Sequence, residues 1–289
     1  MPEDRRQPLV ESVLRAARLM DCFRRGEPAL SLPELVRRSG YSKTTTYRLL
    51  LTLEAAGWLE RAPNGAFRLT LRPFQIGSIL LDSLELRQEA PPVMRRLSLA
   101  VGQTAYLVIP AATHAVCVER IDRGSGVRVM DLQVGGSQPL HLGGAPRALL
   151  AFNEDELLPP LLQAGLEART PRSIATEEAL RRDLAETRER GYAISDSDAT
   201  PGVAAIGAPV FDLSERAIAA ISIGGLSEQM MPPRPRHVDA LLRAAEELSS
   251  RLGSVRAAAA AERTPGQPEP LSAPPEDEGL ARAESEAAR

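Results

Sequence analysis

The chain has 289 residues, of which 43% are hydrophobic and 25% charged, and its formal net charge is −3. This length exceeds the ~100–200 residues of a usual domain, and the apolar fraction is enough for a buried core, so the composition excludes a fibrous or wholly disordered chain and predicts two domains. There is no run of about 18 apolar residues and no apolar stretch at the N-terminus, so we expect a cytoplasmic protein with no membrane partner.

The first predicted element is a helix over residues 10–25, which we expect to pack behind the helices that follow. Two arginines precede Gly26 in its last turn, where cations suit the C-terminal end of the helix dipole. Its apolar stripe consists of Val13, Ala16, Ala17, Met20 and Phe23.

Two short helices joined by a glycine turn come next. Ser31 and Glu34 form a capping box at the start of the first, with a proline in the first turn, where a missing N–H costs nothing. Gly40 supplies the turn, and Lys43, the only lysine of the chain, begins the second helix. A rotation of about 100° per residue separates two faces of that helix. One face holds Lys43, Thr44, Tyr47, Arg48 and Leu51, and the other holds Thr46, Leu49, Leu50 and Leu53.

This pair of helices is typical of a helix-turn-helix that reads DNA. A solvated amphipathic helix without a partner is the alternative. The residues that we expect to contact DNA from this helix are Ser42, Lys43, Thr44, Thr45, Tyr47 and Arg48.

The next segment favours DNA binding, because it predicts the hairpin of a winged helix. Asn64-Gly65 lies between two alternating apolar segments, which is a hairpin pattern. Arg61 and Arg68 are then placed to meet phosphates or a minor groove. The single tryptophan, Trp58, is expected to pack the wing onto the helices as part of the core.

Charge is divided unevenly along the chain. Residues 1–72 hold 13 Lys and Arg against 8 Asp and Glu, whereas the remainder holds 22 against 30. A basic N-terminal part is attracted to the phosphate backbone, and an acidic remainder is not.

A linker helix is predicted after the wing. It opens near Leu71 and carries an apolar stripe as far as Leu86, and we expect it to stop at Pro91-Pro92. The stripe is too apolar for a solvated linker, so this helix either couples the domains or joins two copies.

Beyond Pro92, helix and strand patterns alternate, which predicts an α+β domain with an antiparallel sheet flanked by helices. The last two strands, joined at 212–215, should form a hairpin in the centre of the sheet, and their small residues should leave room beside them. The predicted strands are 104–109, 115–121, 127–134, 192–195, 204–211 and 217–223, and the predicted helices are 93–101, 146–152, 154–162, 176–190 and 235–252.

Cysteine and histidine are sparse. Cys22 and Cys117 lie far apart and are expected to be buried free thiols. His114, His141 and His237 are scattered, with no second ligand three or four residues away to make a metal pair on a helix, so we predict no metal site and no cofactor.

In this order, the motifs resemble the IclR family of bacterial transcription regulators over roughly residues 9–253. The matching segments are 32–35, 42–50, 52–54, 57–61 and 67–69, followed by 139–141, 147–151, 190–193, 201–203, 208–212 and 219–223. The resemblance implies a winged helix-turn-helix, a linker helix and a C-terminal GAF-like effector-binding domain, assembled as a homodimer or tetramer. It implies a sequence-specific regulator that binds a double-stranded DNA operator and is modulated by a small-molecule effector, an organic or aromatic acid.

The resemblance also implies an effector pocket at the start of the helix that contains Arg147, where free N–H groups and the helix dipole favour a carboxylate. Family members that bind small oxyacids tend to have an acidic residue where Ser195 stands, a cysteine where Ala205 stands and a serine where Gly224 stands. These departures predict a larger, less polar cavity and an apolar or aromatic effector. Close packing of small residues in the sheet is the alternative. The pocket positions carried over are Gly144, Ala145, Ser195, Ala205, Ser222 and Gly224.

Two other classes of function remain as alternatives. An enzyme could use the polar cluster at 195–198, but no histidine or cysteine stands nearby in sequence to complete a nucleophile and base. A purely architectural DNA binder would not need a second domain of this size. The expected boundaries are 1–72 for the winged helix, 73–90 for the linker helix, 91–253 for the effector-binding domain and 254–289 for a disordered Ala/Pro/Glu-rich tail.

Overall fold

The computed structural model describes residues 9–24, 27–82, 85–122 and 132–255, with the backbone alone at 78–82 and 85. The chain divides into two compact units, Met1–Arg87 and Gln88–Arg289. The predicted tail from residue 256 onward, and the predicted helix end at residues 25–26, lie outside the described residues.

The first unit is a winged helix, as the sequence predicts. Its core consists of Leu19, Cys22, Leu30, Leu35, Leu50, Leu59 and Phe67. Its elements are α1 Glu11–Met20, α2 Leu32–Ser39, α3 Lys43–Ala55, β1 Leu59–Arg61, β2 Phe67–Leu69 and α4 Arg72–Asp82.

Local capping fixes the bounds of α2 and α3. The Ser31 hydroxyl accepts the Glu34 N–H at 3.4 Å, and Gly40 ends α2 in the left-handed region at φ 71°. The Ser42 hydroxyl then accepts the Thr45 N–H at 3.2 Å, which starts α3. Only half of the predicted capping box forms, because the Glu34 carboxylate pairs with two arginines of α2.

The predicted hairpin closes with a three-residue turn. Ala62 donates its N–H to the Ala66 carbonyl at 2.8 Å, and Gly65 donates to the Ala62 carbonyl at 2.9 Å. Gly65 has φ 79°, a left-handed conformation that glycine adopts without strain. The Asn64 side chain accepts the Ala66 N–H at 3.1 Å, which completes the turn.

The first helix is shorter than predicted and buries a different face. It ends at Met20 rather than near residue 25, because the chain turns there and buries Cys22. Val13 and Ala17 of the predicted stripe are exposed, whereas Leu19 is fully buried. Tertiary packing of Leu19 and Cys22 thus overrides the periodicity of the local sequence.

The predicted stop of the linker helix at Pro91-Pro92 is wrong. Helix α5, Glu85–Val101, continues through both prolines. A proline inside a helix costs about 3 kcal/mol, but burial of a large aliphatic side chain contributes about 1.5–3 kcal/mol. The buried side chains that hold α5 in place are Ala90, Val93, Met94 and Leu97.

The second unit is built on a six-stranded antiparallel sheet with the strand order β5-β4-β3-β8-β7-β6. The predicted hairpin of β7 and β8 is confirmed. The predicted strand 127–134 lies mostly outside the described residues, and β5 was not predicted because a three-residue Ser-Gln-Pro segment reads as a turn. The strands are β3 Thr104–Ala111, β4 His114–Ile121, β5 Ser137–Pro139, β6 Ala193–Asp196, β7 Val203–Phe211 and β8 Ala217–Leu226.

Helices cover the sheet. Helix α6 packs on β7, β8 and β3, and α10 packs on β7 and β8. Burial is continuous over 206–210 of β7, as expected for a strand with both faces covered. The helices are α6 Gly144–Phe152, α7 Glu154–Ala164, α8 Glu177–Arg190, α9 Ser227–Met230 and α10 Pro235–Arg251.

The outer edge of β7 is only partly covered by another strand. Strand β6 pairs with residues 204–207 of β7. Past Gly207, Pro209 has no N–H, and the Phe211 N–H donates to the Ser249 hydroxyl of α10 at 2.9 Å.

Glycine allows α6 to touch the sheet backbone to backbone. A Cβ added at Gly207 of β7 would lie 2.4 Å from the Gly144 carbonyl carbon and 2.5 Å from the Ala145 nitrogen. The room that the sequence predicts beside these small residues is therefore filled, at Gly207, by the first turn of α6.

We expect Gly207→Ala to lower the free energy of unfolding of the second unit by about 2–3 kcal/mol, since the methyl group must push α6 off the sheet. Trp58 is the only tryptophan, so its fluorescence follows the first unit, while circular dichroism follows both. Urea titration should shift only the dichroism transition. The control is Gly77→Ala in α4, where an added Cβ meets nothing within 4 Å. An unchanged dichroism midpoint for Gly207→Ala would contradict the close approach.

Candidate functional site

Helix α3 presents a polar face outside the core of the first unit. Lys43, Thr44, Tyr47 and Arg48 are exposed, while Thr46 on the opposite face is buried. The two faces are those predicted from the helical rotation. The N-cap of the helix is tied down, because the Ser42 and Thr45 hydroxyls lie 2.9 Å apart.

The cations of α3 and of the wing differ in their partners. Among the described residues, Lys43 and Arg48 have no ion pair. Arg61 pairs with Glu54 at 3.1 Å and Arg68 pairs with Glu60 at 2.7 Å. These pairs are substantially exposed, and exposed ion pairs contribute little to stability, so a phosphate can replace the carboxylate.

Trp58 is not part of the core, contrary to the prediction. Its side chain is half-buried, and the Arg72 guanidinium lies 5.8 Å from its ring centroid. Leu59 and Phe67 fill the core position instead. The ring and the arginine stack at the base of the wing, and Arg72 also donates to the Ala56 carbonyl at 2.7 Å.

In the second unit, one cavity is lined by all six residues that the family resemblance assigns to the effector pocket. No lining residue has a charged side chain among those described. The lining residues are Tyr106, Leu132, Gln138, Gly143, Gly144, Ala145, Pro146, Ser195, Ala199, Thr200, Val203, Ala205, Ser222 and Gly224.

The cavity is smaller than the sequence predicts. Its volume is about 60 Å³, against roughly 300–1,000 Å³ for drug-sized ligand sites. The Tyr106 ring explains part of the difference, because its Cε2 lies 3.4 Å from where a Cβ on Gly224 would stand. The space that Gly224 leaves is thus taken by an aromatic ring.

Hydrogen-bond donors converge on the cavity from the first turn of α6. Within the described part of the chain, the N–H groups of Gly144 and Ala145 have no partner, and Pro146 has no N–H. The Ser222 hydroxyl, on β8, also has none, although the residue is only 3% exposed. Two amides at a positive helix end and one hydroxyl suit a carboxylate.

A buried ion-pair network lies behind this wall. Asp198 accepts the Ser195 hydroxyl and the Gly143 N–H, the latter at 3.3 Å, and pairs with Arg147 at 2.8 Å. Arg147 also donates to the Ile194 carbonyl. Asp183 of α8 lies 3.3 Å from the Arg147 Nε without forming a hydrogen bond.

Burial shifts the pKa values of two groups near the network. It raises the pKa of Asp183 above its usual value, and Arg147 only partly opposes this effect. It lowers the pKa of His141, whose Nε2 lies 2.9 Å from the Glu167 carbonyl oxygen. By contrast, hydrogen bonds, chiefly from Ser227, lower the pKa of Asp196.

The sequence did not indicate every residue of this site. Tyr106, Gln138 and Thr200 line the cavity, and Arg147 supports it by pairing with Asp198, which the sequence indicated only as part of the polar cluster at 195–198. A signal existed for Arg147, because it is the one charged residue in the apolar segment of α6. Nothing in the sequence paired it with Asp198.

Other features of the described residues bear on function. They contain no group of three or more His, Cys, Asp and Glu that could hold a metal ion. No described helix is long and apolar enough to span a membrane. Cys22 and Cys117 are both buried and neither forms a disulfide, as the sequence predicts.

Two family descriptions match the chain. The IclR helix-turn-helix domain matches residues 12–63, and the bacterial transcriptional regulator IclR C-terminal domain matches residues 79–250.

Among similar proteins, XynR, an HTH-type transcriptional regulator of Escherichia coli, is 31% identical over 225 residues, covering 77% of this chain and 89% of XynR. An IclR regulator of Alicyclobacillus acidocaldarius superposes with a TM-score of 0.71 at 28% identity, covering 85% of this chain and all of that one. An IclR homologue of Microbacterium hydrocarbonoxydans, complexed with 4-hydroxybenzoate, superposes with a TM-score of 0.70 at 25% identity, covering 83% and 98%. Both halves of the chain, in this order, make it a member of the IclR family of DNA-binding bacterial transcriptional regulators.

Proposed function

We propose that the second unit of this regulator binds a small organic acid in the cavity at the start of α6, and that binding changes the affinity of α3 for its operator. The observation that carries the proposal is the set of unpartnered donors on Gly144, Ala145 and Ser222. Buried polar groups are nearly always hydrogen-bonded, so these donors favour a ligand that satisfies them.

The effector is proposed to place its carboxylate at the N-terminus of α6. A cavity of about 60 Å³ among the described residues favours a compact acid. An aromatic acid, such as the ligand of the Microbacterium homologue, would require Tyr106 or Leu132 to move. Ser195, Ala205 and Gly224 would then border the rest of the ligand.

On the DNA side, we assign base reading to α3 and backbone contacts to the wing. Lys43 and Arg48 are free of ion pairs among the described residues, so binding DNA costs them no existing partner. Arg61 and Arg68 would exchange a carboxylate for a phosphate. Ser42, Thr44, Thr45 and Tyr47 complete the proposed interface.

A homodimer or tetramer would present two such helices to a palindromic operator. Val10, Val13 and Leu14 at the start of the first unit are 63%, 63% and 40% exposed. A second copy would bury these side chains. An effector that binds one spacing of the two helices more tightly than another would then shift operator affinity.

Arg48→Ala should relax sequence preference, whereas Arg68→Ala should weaken binding to all DNA equally. Loss of a base-reading arginine costs about 1–3 kcal/mol of discrimination, and loss of a phosphate contact lowers the salt slope by about one. Gel-shift titrations at two salt concentrations, against a selected operator and random duplex, measure both. Arg182→Ala, in the second unit, is the neutral control. Identical behaviour of the Arg48 and Arg68 variants would refute the division of roles.

An organic acid that binds the cavity should raise the melting temperature of the protein. At a ligand concentration of about a hundred times Kd, the free energy of unfolding should rise by about 2.7 kcal/mol. Ser222→Ala should weaken that binding about tenfold, because a buried hydrogen bond is lost. Thermal unfolding in the presence of a panel of small and aromatic acids measures the first effect, and calorimetric titration with the acids that stabilise the protein measures the second. The control is Ser214→Ala, an exposed serine in the β7–β8 loop. The proposal fails if no acid binds, or if the Ser222 variant binds as tightly as the native chain.

A further inference from the structure

We infer that Asp198 sets the direction of one hydrogen bond inside the effector cavity, so that the effector must present a hydrogen-bond donor, such as a hydroxyl, to Ser195. This inference rests on the proposed effector site and narrows the class of ligand that it takes.

Asp198 is held in one orientation by its surroundings. It is 2% exposed, and its Oδ2 faces only donors, the Arg147 guanidinium at 2.8 Å and the Gly143 N–H at 3.3 Å. Its backbone carbonyl accepts the Ser173 hydroxyl at 2.6 Å. The second carboxylate oxygen, Oδ1, is left to accept the Ser195 hydroxyl.

This arrangement fixes what Ser195 offers to the cavity. A carboxylate paired with arginine only accepts hydrogen bonds, so Ser195 must give it its single proton. The Ser195 oxygen, in the cavity wall and 3% exposed, is left with lone pairs alone. A ligand group that faces Ser195 therefore has to donate.

The polar groups of the cavity wall thus differ in what they offer to a ligand. The N–H groups of Gly144 and Ala145 donate, whereas Ser195 accepts. The Arg147 charge adds little attraction for an anion, because Asp198 neutralises it and Asp183 lies 3.3 Å from it. The matching ligand carries one carboxylate for α6 and a hydroxyl or N–H for Ser195, and a second carboxylate at Ser195 would meet only lone pairs.

Asp198→Asn tests this inference because it reverses the hydrogen bond. The amide oxygen must face Arg147 and Gly143, which only donate, so the amide N–H group faces Ser195. The Ser195 proton is then free to point into the cavity. The volume of the side chain is unchanged.

The probes are two pairs of acids that differ in a hydroxyl against a carbonyl on the same carbon skeleton: lactate against pyruvate, and 4-(hydroxymethyl)benzoate against 4-formylbenzoate. Affinities for the full-length protein are measured by calorimetric titration. In a pair that binds, the native chain should favour the hydroxyl member about tenfold, since the carbonyl leaves buried lone pairs facing each other. Asp198→Asn should bring this ratio to one or invert it. Ser195→Ala should bring it to one without touching the ion pair.

The matched control is Asp196→Asn. Asp196 is the neighbouring carboxylate, it accepts the hydroxyls of Ser197 and Ser227, and it does not line the cavity. Its variant should keep the native ratio. If Asp198→Asn does not fold, the Ser195→Ala ratio decides.

The outcomes separate the two claims. If none of the four acids binds, the proposed effector site falls and this inference falls with it. If a pair binds and its ratio is the same in the native chain and in Ser195→Ala or a folded Asp198→Asn, only the inference about Asp198 is overturned. A native preference for the carbonyl members would also overturn it.

Discussion

The second unit depends on the backbone contact between α6 and β7. Gly207 has no side chain, so the peptide between Gly144 and Ala145 lies against the strand at a distance that no other residue permits. This contact places the first turn of α6 against the sheet, where Gly144 and Ala145, whose N–H groups have no partner among the described residues, line the cavity. The donors of the site are therefore positioned by packing of the main chain, which is stiffer than packing of side chains.

Electrostatics then complete the same site. Burying Arg147 is tolerable only because Asp198 and the Ile194 carbonyl surround it, and an unpaired charge at 3% exposure would be strongly destabilising. Asp198 of this ion pair also accepts hydrogen bonds from the Ser195 hydroxyl and the Gly143 N–H. Structure and recognition are thus joined in one network: the groups that stabilise the start of α6 also decide which polar groups remain for a ligand.

The sequence predicted elements whose determinants are local. Ser31 and Gly40 delimit α2 by contacts three or four residues away, and Asn64-Gly65 forms its turn alone, so these features could be recognised without a structure. The α+β class and the hairpin of β7 and β8 also followed from periodicity. The six cavity positions came from resemblance to a family, because the elements that carry them are far apart in the chain.

The predictions that were wrong concern features that depend on packing between distant parts of the chain. Pro91 and Pro92 remain helical because distant residues bury their neighbours, and α1 exposes Val13 because Leu19 faces the core. The expected large cavity did not allow for the Tyr106 ring on the adjacent strand. In each case long-range packing determined the structure, and the local sequence pattern did not indicate that packing.

The partly covered edge of β7 has a consequence for solubility. A strand edge with free N–H groups is a template on which another chain can add a strand. Beyond β6, Pro209 has no N–H to offer and the Phe211 N–H is already held by Ser249. This stretch is therefore a poor template for intermolecular strand addition, and crowded, newly made chains are protected from aggregating through it.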